Sequence, residues 1–340
     1  MSPPSEQTVL VTGANGFVAG QIINLLLKKG YKVRGTVRSD RSINAAKESH
    51  KGYASQLSFA IVPDMTVIEA YKDAFQGVTA VFHTASPFVL APKDNESELL
   101  KPAVAGVVSA LEAAAQYGPN VKAFILMASF ASILDLSKGY RPTYTYSEKD
   151  WNPISYEEAK VADGPTAYCA SKAFAEKAGW EWMQTHKPNF TFSSICPPWV
   201  FGPNISPITN LNKLNESTHA IYTLIRGDKI PDADFCGFAD VRDVAAAHVS
   251  LLEKESAQGE RYIVGNHFDY QTAVDELVKE MPELEGRIPK GEPGAGLKEG
   301  VYYRIDGSKV VEALGLEYTP LGVTMRDTFK QLMEAEGKTA

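Results

Sequence analysis

The segment from Val9 to Gly30 limits the fold more than any other part of the chain. Val9-Leu10-Val11 is a short apolar run of the length of a buried strand. Gly13-Ala14-Asn15-Gly16-Phe17-Val18-Ala19-Gly20 comes next. A helical spacing at Phe17, Ile22, Ile23, Leu26 and Leu27 then runs to Gly30, a natural helix stop. Glycines between a strand and a helix let the backbone turn tightly and approach a diphosphate, which the helix N-terminus stabilises. The third glycine slot holds Ala19, a side chain small enough for the same packing. Strand, turn and helix in this order predict a dinucleotide-binding βαβ unit. Gly13, Asn15, Gly16, Phe17 and Val18 are its candidate cofactor contacts.

The alternation continues. Strands are predicted at 31–38, 57–62, 80–82, 121–127 and 190–195, and helices at 44–51, 68–75, 99–117 and 168–186. Such a pattern predicts an α/β fold, a Rossmann-type doubly wound parallel sheet with helices on both faces. Residues 134–165 break the rhythm and read as a long excursion. After Gly202-Pro203-Asn204 the pattern becomes irregular, with helices near Ile221, Val244, Ala273 and Val310. We therefore expect a mainly NADP-binding domain over 7–203 whose last strands return from about 236–265. A smaller mixed substrate-binding lobe would comprise 204–235 and 266–340.

Composition removes several function classes. A net charge of −7 argues against nucleic acid and anionic membranes as main partners. No stretch is long and apolar enough to span a membrane, and the N-terminus shows no signal-like apolar segment. Three widely spaced cysteines, Cys169, Cys196 and Cys236, form neither a metal-type pair nor a disulfide framework. No metal is expected, and a cytoplasmic location follows by elimination.

The end of the second strand bears on the choice of dinucleotide. It reads Val33-Arg34-Gly35-Thr36-Val37-Arg38-Ser39-Asp40. Arg38 stands where it can pair with a 2′-phosphate, which favours NADP(H). Asp40, two residues on, is the feature that would suit a 2′-hydroxyl instead. Asp64 and Met65 after the third strand, and Thr84, Ala85 and Ser86 after the fourth, lie where a nucleotide across the strand ends would reach. His83 is read as structural.

Two copies of one catalytic pattern occur. Tyr156 is followed at i+4 by Lys160, and Tyr168 at i+4 by Lys172. On a helix such a pair shares a face, and an ammonium near a phenol lowers its pKa from about 10. Tyr156 is set among Glu157, Glu158 and flanking prolines, whereas Tyr168 follows the helix-start signal Pro165-Thr166-Ala167. Tyr168 is the stronger candidate. The fifth strand ends in Ala128-Ser129-Phe130-Ala131-Ser132, which brings a hydroxyl to the carboxyl edge of the sheet. Ser129 is the candidate and Ser132 the alternative.

Taken together, the glycine turn, His83-Thr84-Ala85-Ser86-Pro87, the Ser129 strand end, Tyr168-x-x-x-Lys172, Pro197-Pro198-Trp199-Val200-Phe201-Gly202-Pro203 and Asp240-Val241-Arg242-Asp243-Val244-Ala245 resemble the extended short-chain dehydrogenase/reductases. The likeness is closest to the fungal NADPH-dependent carbonyl reductases, with plant dihydroflavonol 4-reductases more distant, and runs from about residue 7 to 335. It implies Ser129, Tyr168 and Lys172 as a catalytic triad. Lys172 would also bind the nicotinamide ribose, Arg38 the 2′-phosphate, and Pro197 and Val200 the nicotinamide. Met127-Ala128-Ser129 departs from the Thr-Ser-Ser usual in relatives.

For the substrate side, Phe88, Phe130, Leu134 and Trp199 are the candidate lining of an apolar pocket. A small hydrophobic ketone or aldehyde is the expected partner, and the chain is expected to be a monomer or a homodimer. The same machinery would also serve hydroxyl oxidation or epimerisation on a sugar nucleotide or sterol, or a sensor that binds NADP without turnover.

Overall fold

The computed structural model describes residues 2–87, 91–296 and 301–339. Its centre is a seven-stranded sheet in the order β10-β7-β5-β4-β1-β2-β3. In chain order the elements are β1 (Thr8–Val11), α1 (Phe17–Lys28), β2 (Lys32–Val37), α2 (Asp40–Ser49), β3 (Leu57–Ile61), β4 (Ala80–His83), α3 (Lys101–Tyr117), β5 (Ala123–Met127), β6 (Thr145–Tyr146), α4 (Tyr156–Val161), α5 (Gly164–His186), β7 (Thr191–Cys196), β8 (Trp199–Phe201), α6 (Glu216–Arg226), β9 (Gly237–Asp240), α7 (Val241–Glu253), β10 (Arg261–Ile263), β11 (Asn266–His267), α8 (Tyr270–Glu280), β12 (Arg304–Ile305), α9 (Ser308–Leu314) and α10 (Leu321–Thr339).

Every pairing in the main sheet is parallel. The sheet is covered on both faces because its strands are apolar on both. Val9 and Val11 of β1 pack with Ile22, Ile23, Leu26 and Leu27 of α1. Leu10, between them, points the other way, into a cluster with Val81, Phe124, Val107 and Leu111. Alternating side chains of one strand thus feed two cores.

Strand order reverses at β1 and β4, and the crevice at that switch is where α/β sheets bind ligands. The tight turn after β1 depends on glycine. Gly13 has φ +68°, and a Cβ there would lie 3.3 Å from Ala85. Gly35 on β2 faces Ala14, whose Cβ would be 2.5 Å from an added methyl.

The C-terminal part differs from expectation in its strands. Of the segment around 236–265, only β10 joins the main sheet. β9 instead pairs with β8 in parallel and with β11 antiparallel, forming a second, three-stranded sheet. Phe201, Phe238, Phe268, Leu277, Met325 and Phe329 make a separate core beside it. The predicted helix over 68–75 is a short 3-10 turn at Ile68–Tyr71. The long excursion contains α4 and β6, and β6 pairs with β12. Helix α5 begins at Gly164, not at Tyr168, because the Asp163 carboxylate accepts the Thr166 N–H at 2.8 Å. No helix among the described residues is long and apolar enough to cross a membrane, and none of their acidic, His or Cys side chains cluster as a metal site. All three cysteines are buried free thiols.

Candidate active site

Two cavities run across the carboxyl ends of the central strands and share Gly13, Gly16 and Thr84. The smaller, about 290 Å³, is lined by Gly13, Asn15, Gly16, Thr36, Arg38, Ser42, Met65, Thr84, Ala85 and Ser86 among others. The larger, about 530 Å³, is lined by Phe17, Val18, Ser129, Tyr168, Lys172, Pro197, Trp199 and Val200 among others. The carbonyl of Thr12 accepts the Thr84 hydroxyl, and the Thr12 hydroxyl accepts the N–H groups of Thr84 and Ala85, each at 3.0 Å. That clamp joins the ends of β1 and β4 and forms the floor of the trough. His83 touches the same hydroxyl at 3.1 Å and is fully buried; burial holds its pKa down at about 4, so it is neutral.

The first turn of α1 suits a diphosphate. Its cap residue is Gly16, and among the described residues no side chain caps the helix's leading N–H groups, which leaves them for an anion. Arg34 and Arg38, both on the segment that ends the second strand, separate in the structure. The Arg34 guanidinium donates to the carbonyls of Ala74 at 3.2 Å and Gln76 at 2.5 Å. Arg38 is exposed on the trough wall, beside Ser42. Asp40 is the first residue of α2, exposed and beyond the end of β2. Met65 lines the trough. The Asp64 carboxylate is turned onto Thr66, accepting its N–H at 2.9 Å and hydroxyl at 2.7 Å, and this holds its pKa below the usual carboxylate value.

Ser129, Tyr168 and Lys172 meet in the larger cavity. The Ser129 hydroxyl accepts the Ala131 N–H at 3.1 Å, and among the described residues its own hydrogen meets no acceptor. Ser132 is fully buried and its hydroxyl donates to Glu176, away from the cavity. Lys172 donates to the Ser86 hydroxyl at 2.7 Å, with its Nζ 5.4 Å from the centre of the Tyr168 ring. Ser86, read from sequence as a nucleotide contact, is therefore also the lysine's partner. Electrostatics differ from the simple expectation of a depressed phenol. Burial pushes the Tyr168 hydroxyl upward, and burial draws Lys172 down to about 8. In the protein alone Tyr168 is therefore protonated at neutral pH, poised as a donor.

Tyr156 and Lys160 lie elsewhere. Tyr156 donates to Glu96 at 3.3 Å, Lys160 pairs with Glu157 at 2.8 Å, and burial followed by Glu96 raises the Tyr156 pKa.

On the substrate side, two expectations are corrected. Phe130 is fully buried, 5.7 Å from the Tyr146 ring and 6.0 Å from the Tyr303 ring, and Leu134 is buried in the same core. Neither lines the cavity: the tight turn after Ser129 sends the following side chains inward. Phe88 lies outside the described residues. Trp199 does line it, stacked on Phe201 and donating from Nε1 to Asp234 at 3.0 Å. Asp234 and Ser42 were not anticipated, because neither stands in a motif.

The profile of the NAD dependent epimerase/dehydratase family matches residues 9–265. The chain is 38% identical to a putative NADPH-dependent methylglyoxal reductase of Candida albicans over 97% of its own length and 99% of that protein's. It is 36% identical to the NADPH-dependent methylglyoxal reductase of Saccharomyces cerevisiae, over 97% and 99% of the two chains. Among solved structures, yeast methylglyoxal/isovaleraldehyde reductase complexed with NADPH superposes with a TM-score of 0.91 at 35% identity, covering 98% of this chain and all of that one.

Proposed function

The chain belongs to the NAD dependent epimerase/dehydratase family, as one of its extended short-chain dehydrogenase/reductases, and from that membership we propose that it reduces small apolar ketones and aldehydes to alcohols. It is an NADPH-dependent oxidoreductase. One observation supports the site assignment above the rest: Ser129, Tyr168 and Lys172 line a single cavity that is continuous, through Gly13 and Gly16, with the glycine turn.

The residues fit the cofactor. The uncapped start of α1 would take the diphosphate, Arg38 with Ser42 the 2′-phosphate, and Lys172 the nicotinamide ribose, beside Pro197 and Val200. Bound there, NADPH supplies the hydride. The protein's own contribution is at the carbonyl oxygen. Ser129 donates a hydrogen bond to that oxygen, where negative charge develops. Tyr168 gives it a proton. Lys172, charged below pH about 8, stabilises the phenolate left behind.

The cavity chemistry points to neutral substrates. Lys172 is the only cation among the residues described as lining it, whereas Glu216 lines it too. A second diphosphate, as on a sugar nucleotide, has no basic cluster to hold it. The test is NADPH oxidation with a panel of neutral aldehydes and ketones and their keto-acid counterparts, with NADH in parallel. Turnover with the neutral compounds and NADPH is expected. Tight NADP binding without turnover of any carbonyl would instead make the protein a sensor.

A further inference from the structure

We infer that Glu176 is a positioning residue for Ser129, acting through Ser132; this rests on the reading of Ser129 as the hydroxyl that meets the substrate oxygen. Tyr168, Lys172 and Glu176 follow one another at four-residue steps on α5 and so lie along one stripe of the helix. The first two reach the cavity. Glu176, one turn further, is fully buried under the sheet edge.

Besides Trp180 Nε1 of its own helix at 3.4 Å, its carboxylate collects donors from three other parts of the chain, the Cys196 thiol of β7 at 3.7 Å among them. Arg261 on β10 donates from Nε at 2.7 Å and from Nη2 at 3.1 Å. Ser194 on β7 donates at 2.6 Å. Ser132 donates from the turn that follows β5. The remaining Arg261 nitrogen binds the carbonyls of Glu148 and Asp150 at 2.6 and 3.0 Å, and the guanidinium lies 3.5 Å over the Trp151 ring. A buried ion pair adds little net stability over apolar side chains of the same volume. What it supplies here is direction: several groups are aimed at one point.

The branch through Ser132 leads to the cavity. Ser129 opens the 3-10 turn that Ser132 closes, and the Ser132 N–H donates to the Ser129 carbonyl at 3.0 Å. The Ser132 hydroxyl has one hydrogen and two oxygen acceptors in reach, Glu176 and the Ser129 carbonyl at 2.7 Å, with the Cys196 sulfur more distant at 4.0 Å. A carboxylate is the stronger acceptor, so Glu176 claims the hydrogen and holds Ser132 against the helix that carries Tyr168. The Phe130 N–H donates to the Pro197 carbonyl at 2.9 Å and fixes the turn on its other side. Thus the orientation of Ser129 relative to Tyr168 depends on a bond from α5 to the far end of the Ser129 turn. Among the described residues the Ser194 branch ends within β7 and its side chain bonds no cavity residue. Its loss removes an equally buried hydroxyl–carboxylate bond without touching that turn.

Steady-state kcat and the Kd for NADPH are measured for Ser129→Ala, Ser132→Ala, Ser194→Ala and the Ser129→Ala/Ser132→Ala pair. Ser132→Ala lowers kcat about 10-fold with little change in NADPH affinity, since small misplacements of a catalytic group carry large rate losses. Ser194→Ala leaves kcat near the parent value. Adding Ser132→Ala to Ser129→Ala causes no further loss, because Ser132 acts only through Ser129. Equal kcat losses for Ser132→Ala and Ser194→Ala, or losses that multiply in the pair, overturn the inference. If Ser129→Ala alone keeps full kcat, the reading of Ser129 fails, and the inference falls with it for a different, visible reason. Should Ser132→Ala not fold, Glu176→Gln takes its place, with the same required absence of further loss on a Ser129→Ala background.

Discussion

Tyr168→Phe lowers kcat for carbonyl reduction by about 10³-fold, the middle of the range for loss of a positioned general acid. NADPH affinity changes far less. The substitution keeps the ring, and with it the packing of α5 against the cavity wall, and removes only the hydroxyl. Lys172 is not left adrift, since it donates to Ser86 at 2.7 Å in any case. The large effect follows from the protonation state. Burial holds Tyr168 protonated, so before reaction it carries the proton that the nascent alkoxide needs, and drawing that proton from Ser129 instead would cost the hydrogen bond that stabilises the charge. The control is Tyr156→Phe, which removes the other copy of the pattern. Tyr156 bonds Glu96 and lines neither cavity, so its loss leaves kcat unchanged. A variant pair in which Tyr156→Phe is inactive and Tyr168→Phe is active would move the chemistry to the wrong helix.

Arg38→Ser lowers the ratio of kcat/KM with NADPH to that with NADH by about 10- to 100-fold, the equivalent of one charge-assisted contact to phosphate. The fall comes from the NADPH value, because NADH has no group for Arg38 to meet. Arg34 cannot compensate, since its guanidinium is already bound by the carbonyls behind β2. Asp40 stays in place in this variant and, with the cation gone, its charge disfavours the 2′-phosphate further. Kinetics with both cofactors on one protein preparation check this. An unchanged ratio would assign the phosphate to other groups on the trough wall.

Local signals made much of this legible. The glycine turn and α1 could be read because strand, turn and helix are consecutive, and each residue's role follows from its neighbours. Arg38 and Tyr168 could be read because the end of β2 and the start of a helix are themselves local features. Phe130 was misplaced because it adjoins Ser129, and Leu134 because it follows the same strand end. In a 3-10 turn successive side chains point in quite different directions, so adjacency to a cavity residue gives no guide to which way a ring faces. The same geometry separates Ser129 from Ser132, two hydroxyls three residues apart that point to the cavity and to Glu176. Glu176 itself was invisible. Its partner Arg261 stands 85 residues away, and nothing near Glu176 in the chain marks it as other than a helix-surface acid. β9 was placed in the wrong sheet for a related reason: a short buried strand looks the same whichever sheet it joins, and its pairing with β8 is set by the fold. Helix α10 was missed altogether, since its charged and apolar residues drew no reading when taken without the core of Phe238, Phe268 and Leu277 that its Met325 and Phe329 complete.

The central claim is that hydride passes from NADPH to a carbonyl carbon in the cavity where Ser129 and Tyr168 meet. The most direct measurement uses NADPH with both hydrogens of the reactive nicotinamide carbon replaced by deuterium, a small apolar aldehyde such as 3-methylbutanal, and mass analysis of the alcohol formed. The account predicts an alcohol with deuterium at the former carbonyl carbon, formed by the parent protein and nearly absent with Tyr168→Phe. Alcohol without deuterium, or labelled alcohol formed equally well by Tyr168→Phe, would contradict it.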